Sequence, residues 1–163
     1  MVRRLMTVDT GFSTGWAIWK NTQRPITGQI TLPRQRISKI EDRLAYMFQK
    51  FDELLTAYRP TEIIIEGVEL WGNSVKSQTS GVRGDLFKLA YLVGGYISIA
   101  ERHGLQYGIL NFKDWGGQLS PEAVQLWVKR VLNKSYKTQH ITDAVAMGLS
   151  YFGQFKKSTL QKM

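Results

Sequence analysis

Cysteine is absent from this chain. Its absence excludes a disulfide framework, a thiol nucleophile and a zinc site built on thiolates, and it fits a reducing compartment. Acidic residues are scarce: 13 Asp and Glu stand against 22 Lys and Arg, for a formal charge of +9 and a pI near 9.9. That surplus favours a polyanionic partner through counterion release, with nucleic acid the leading candidate. Long apolar runs are missing too. Nothing approaches the roughly 18 consecutive apolar residues that would span a membrane, and Arg3 and Arg4 precede only a short apolar run. The expectation is a soluble, cytoplasmic protein. No linker, repeat or low-complexity tract divides the chain. Its 163 residues, 43% of them hydrophobic, are expected to form one domain over residues 1–155 with a proper core, followed by a short basic tail at 156–163.

Local patterns predict the elements. Residues 4–9, 14–19 and 27–32 are rich in β-branched and aromatic residues and are joined by short connections, so three antiparallel strands are expected. Ser38-Lys39-Ile40-Glu41 has the form of a capping box. Beyond it, Ile40, Leu44, Met47, Phe48, Phe51, Leu54, Leu55 and Tyr58 recur at helical spacing until Arg59-Pro60. Glu62-Ile63-Ile64-Ile65-Glu66 is an apolar run with acids at its ends, as expected of a parallel strand buried on both faces. The stretch from Trp71 to Gly84 reads as a loop, and a helix follows from Asp85 to His103. That helix has little polar surface on any side, so one face is expected on the sheet and another on a second subunit. A fifth strand is expected at 106–111. Ser120-Pro121-Glu122 then supplies an N-cap, a first-turn proline and an early acid, and a last helix starts near Thr138.

Asp9 and Glu66 close strands, while His140 and Asp143 share a stripe at a helix start. Carboxylates drawn from such distant points to one spot repel each other unless a cation neutralises them. Oxygen ligands of this kind suit Mg²⁺ or Mn²⁺, and beside a basic surface the matching reaction is phosphodiester hydrolysis. Two ions about 3.5–4 Å apart would activate the attacking water and stabilise the leaving 3′ oxygen. In that scheme Asp9 bridges the ions, Glu66 and Asp143 flank it, and His140 ligates or transfers protons. Taken singly, each residue has a plainer role: Asp9 in a turn, and His140 and Asp143 at a helix start. Glu66 is harder to explain without function, because an unpaired buried acid is costly.

Three segments, Val8-Asp9-Thr10-Gly11-Phe12-Ser13-Thr14-Gly15-Trp16-Ala17-Ile18, Ile63-Ile64-Ile65-Glu66-Gly67-Val68 and His140-Ile141-Thr142-Asp143-Ala144-Val145-Ala146, resemble in order the signature segments of RuvC-type Holliday junction resolvases. The resemblance runs from about residue 4 to 153. It implies an α/β, RNase H-like fold: a five-stranded mixed sheet, three antiparallel then two parallel strands, flanked by helices. It further implies a homodimer with two active sites and paired nicking of four-way DNA junctions, dependent on Mg²⁺ or Mn²⁺. Asp9, Glu66, His140 and Asp143 match the family's catalytic metal-binding tetrad, whose histidine position is Asp in some members. The family's junction wedge falls to Leu70 or Trp71, because Glu69 stands where an aromatic is common. Lys113 matches a basic residue past the fifth strand. The next expected lysine meets Ser120-Pro121-Glu122, so grip on the junction shifts to Lys76 and Arg83. A small stand-alone resolvase suits a phage that debranches DNA before packaging, by analogy, and would then act in the host cytoplasm.

From Lys129 onward there are seven Lys or Arg and one acid, Asp143, and Lys156 and Lys157 are the expected phosphate contacts. Other readings stay open at this stage. A ribonuclease H or a branched-DNA debranching nuclease would use similar acids on the same fold. A non-catalytic junction-binding module would use the same basic face but ignore Mg²⁺. Asp9-Thr10-Gly11 also matches the aspartic protease triplet, which belongs to nearly all-β enzymes, and Val8–Gly15 resembles the phosphate loop of actin-like ATPases, which need two such domains.

Overall fold

A computed structural model describes residues 3–21, 24–33, 37–68, 84–117 and 119–153. Five strands, β1 (Leu5–Asp9), β2 (Ser13–Trp19), β3 (Ile26–Thr31), β4 (Glu62–Glu66) and β5 (Gln106–Leu110), form one sheet in the order β3-β2-β1-β4-β5. β1 pairs antiparallel with β2, and β2 with β3, while β1 and β5 both run parallel to β4. The helices are α1 (Ile40–Tyr58), α2 (Asp85–Arg102), α3 (Phe112–Trp115), α4 (Pro121–Leu132) and α5 (Gln139–Tyr151). A mixed sheet with this much helix excludes the all-β architecture of an aspartic protease.

Side chains alternate across a strand, and that alternation divides the core in two. Met6, Val8, Ile63 and Ile65 face α1 and α2, where they meet Met47, Phe51, Leu55, Leu92 and Tyr96. Leu5 and Ile64 face the other way, onto Trp115, Val124, Val128, Ala144, Val145 and Met147 of α3, α4 and α5. β4 is therefore covered on both faces, which is why it reads as an uninterrupted isoleucine run. Phe51 and Tyr96 stack with ring centroids 4.0 Å apart and join α1 to α2. Such a pair contributes about 0.5–1.5 kcal/mol beyond its buried area.

The same alternation aims the acids. Leu5, Thr7 and Asp9 occupy one face of β1, as Glu62, Ile64 and Glu66 do on β4, and that face carries α5. Thr7 Oγ1 donates to the Ala144 carbonyl at 2.6 Å. At the far end of α5, Tyr151 hydrogen-bonds Glu62. From Tyr151 back to Asp143 is about 12 Å at 1.5 Å per helical residue, and from Glu62 to Glu66 about 13 Å along the strand. α5 runs against β4, so a contact at Tyr151 and Glu62 delivers Asp143 to the level of Glu66.

Two expectations about local structure are corrected. The capping box does not form: the N-cap of α1 is Lys39, with no side-chain cap, because the helix starts one residue later than a Ser38 cap requires. Glu41 thus falls on the second turn position rather than the third, and Arg43 Nε instead donates to the Ile37 carbonyl at 2.8 Å. The short helix α3 was not expected. It continues directly from β5 and buries Trp115. Ser120 caps α4 through the Ala123 amide, and Thr138 caps α5 through the Ile141 amide, as their sequences indicate.

Candidate active site

Asp9, Glu66, His140 and Asp143 gather at one end of the sheet, brought there by two adjacent parallel strands and the first two turns of α5. Val8 pairs with Ile65, so the next residues, Asp9 and Glu66, end their strands side by side. On its other side Asp9 pairs with Gly15, and Gly15 pairs with Gln29. This row across β1, β2 and β3 seats α5. A Cβ on Gly15 would lie 2.0 Å from the His140 carbonyl oxygen, so only glycine lets the helix start this close. The cap residue Thr138 donates its hydroxyl to Gln29 Oε1 at 2.7 Å, fixing the helix end at the same row.

His140 Nδ1 lies 2.7 Å from Asp9 Oδ2, with Asp9 buried and the imidazole about half exposed. The bond to Asp9 raises the His140 pKa above its ordinary value, against the opposing effect of burial. Glu66 is held far above the usual carboxylate range, first by burial and then by hydrogen bonding to, and repulsion from, Asp9, with Asp143 adding to it. Trp115 Nε1 faces Glu66 and offsets part of that shift, although it falls short of a well-formed hydrogen bond. Asp143 is pushed up to about 7, chiefly by burial and then by Asp9, with Gln139 and His140 pulling it back.

The donor set is chemically suited to a hard divalent cation: three mutually repelling carboxyls, only partly offset by one imidazole. Asp9, Glu66, Asp143 and His140 are the groups that would hold it. As they stand, their hydrogen bonds are made to each other and to Gln139. Among the described residues, no three acidic or histidine side chains are already arranged as a ligand shell.

Of the other residues singled out in the sequence, Lys113 lies exposed on α3, three residues past Leu110, which is the partner of Glu66 on β5. Leu70, Trp71, Lys76, Arg83, Lys156 and Lys157 lie outside the described residues. Sequence reasoning missed Gln139, whose amide donates to Asp143 Oδ1 at 2.6 Å, and Trp115. The spacing of Gln139 and Asp143, four apart on one helix, was the only available signal for the first. Nothing local marked the second.

This sheet order, with helices on both faces, is the RuvC/RNase H-like fold. Solved structures bear this out. The chain is similar to Thermus thermophilus RuvC (TM-score 0.65, 16% identity, covering 93% of this chain and 95% of that one). It is similar also to T. thermophilus RuvC in complex with Holliday junction substrate (TM-score 0.69, 15% identity, 93% and 95%). A third similar structure is the Fowlpox virus resolvase with substrate Holliday junction DNA (TM-score 0.58, 15% identity, 93% and 99%). At these identities the likeness establishes a shared fold. No protein-family model matches the sequence, and no curated protein matches it significantly. Among the described residues, no helix is long and apolar enough to cross a membrane.

Proposed function

We propose that this chain is a divalent-metal-dependent endonuclease that resolves four-way DNA junctions by paired symmetric nicks, working as a homodimer. The observation that supports it most is the gathering of Asp9, Glu66, His140 and Asp143 at one end of a RuvC-like sheet. Two of the similar structures hold Holliday junction DNA, and the charge of +9 suits such a polyanion.

Two Mg²⁺ or Mn²⁺ ions bound there would supply an activated water and charge stabilisation at the leaving 3′ oxygen. Asp9, hydrogen-bonded to His140 and beside Glu66, would contribute its carboxylate to holding them. Glu66 and Asp143 would supply further carboxylates, and because their pKa values are raised they would release protons on metal binding. His140 holds a proton toward Asp9 in the absence of metal, and its other ring nitrogen is available to ligate or to pass a proton to solvent. Lys113, Lys76, Arg83, Lys156 and Lys157 are the proposed phosphate contacts, and Leu70 or Trp71 the wedge.

Dimerisation is supported by the outer stripe of α2, where Phe87 and Tyr91 are 64% and 60% exposed. Tyr107 and Ile109 of the edge strand β5 are also exposed, in register with Ile63 and Ile65 and so on the same side of the sheet as α2. An apolar surface of this kind is suited to self-association, and a two-fold axis would pair two sites for symmetric cuts.

The test is cleavage of a labelled synthetic four-way junction, beside linear duplex and an RNA/DNA hybrid, in Mg²⁺, Mn²⁺ or EDTA. Paired nicks that require metal and vanish in Asp9→Asn are expected. Cutting of the hybrid instead would move the assignment to ribonuclease H, and metal-independent binding without cutting would leave a junction-binding module.

A further inference from the structure

Asp143 is held by a relay that begins outside the tetrad. Gln139 Nε2 donates to Asp143 Oδ1 at 2.6 Å, and Gln125 Nε2, from α4, donates to Gln139 Oε1 at 2.7 Å. The two bonds determine one another. An ionised carboxylate only accepts, so Gln139 must turn its amino group toward Asp143, which leaves its carbonyl oxygen to find a donor. Gln125 is that donor. With Oδ1 engaged by an amide, rotation of the Asp143 carboxyl is restricted, and Oδ2 is the oxygen left outside that bond. α4 and α5 pack through Val124, Val128 and Val145, which keeps the two glutamines in register.

We propose that Gln139 is a positioning residue for Asp143 and that Gln125 acts on Asp143 only through Gln139; this rests on the metal-site reading above. Hydrogen-bonded partners of ligating carboxylates typically contribute 10–100-fold in metal affinity. The relay should therefore appear in metal binding itself, before any DNA is cut.

The experiment is calorimetric titration of the full chain with Mn²⁺ at pH 8, for wild type, Gln139→Met, Gln125→Met and the double variant, with thermal melts alongside. Methionine keeps the length of glutamine and removes its donor. Gln139→Met is expected to weaken Mn²⁺ binding by at least tenfold with melting unchanged. Gln125→Met should weaken it by a smaller factor, and the double variant should match Gln139→Met alone. Affinity within twofold of wild type in Gln139→Met would overturn the proposal while leaving the metal site intact. A double variant whose loss equals the product of the single losses would overturn the relay from Gln125. Wild type that takes up no Mn²⁺ would overturn the metal-site reading and this proposal with it.

Discussion

Gly15 makes room for His140. The place where its side chain would stand is taken by the His140 carbonyl, and Gly15 is also the cross-strand partner of Asp9. Removing one side chain from the row beside Asp9 thus brings the helix carrying two proposed ligands down onto the strand carrying a third.

Gly15→Ala is expected to push the start of α5 away from β2. A forced backbone shift of this kind costs about 1–3 kcal/mol, which at this chain length lowers the melting temperature by about 2–12 °C. Misplacing His140 and Asp143 by about 1 Å should also slow junction cleavage by about 10²-fold, measured at a temperature where the variant is fully folded. An unchanged melt with full activity would refute the close-approach account.

The acids should make the chelated protein less stable as pH rises. Asp143 binds its proton more tightly folded, at about 7, than unfolded, near 3.8, so stability declines as pH climbs between those values. His140, raised above 6.5 by Asp9, contributes stability that is full below 6.5 and lost as pH passes its raised value. Both act in the same direction. In EDTA the melting temperature should fall from pH 5 to pH 8, and Asp143→Asn should reduce that fall. At pH 8 the variant should gain about 1–2 kcal/mol, after discounting for partial exposure, seen as a melt about 2–8 °C higher. A wild-type melt that stays level or rises over this range would contradict the crowding of the site.

Phe87 and Tyr91 are exposed, so charging them should spare the folded subunit. Phe87→Glu with Tyr91→Glu is expected to give a monomer by light scattering, with melting within a few degrees of wild type and loss of coordinated double nicks. A variant that stays dimeric would place the interface elsewhere, and a monomeric wild type would remove the dimer from the proposed function.

All the described elements except the short helix α3 are legible in the chain, because their signals are local. Helical spacing from Ile40 to Tyr58, the isoleucine run before Glu66, and the caps Ser120 and Thr138 each depend on neighbours within a few residues. Residue types alone also marked Asp9, Glu66, His140 and Asp143 as a charge problem requiring a common answer. The α1 cap departs from the capping-box pattern: the helix starts at Ile40, and Arg43 ties back to the Ile37 carbonyl, a competing local bond. Which polar groups support the tetrad follows instead from how the elements pack. Trp115 comes beside Glu66 because α3 follows β5, the neighbour of β4, and Gln125 reaches Gln139, and through it Asp143, because α4 packs on α5. Neither pairing has a sequence period, for the distance between residues far apart in the chain is set by strand order and helix packing.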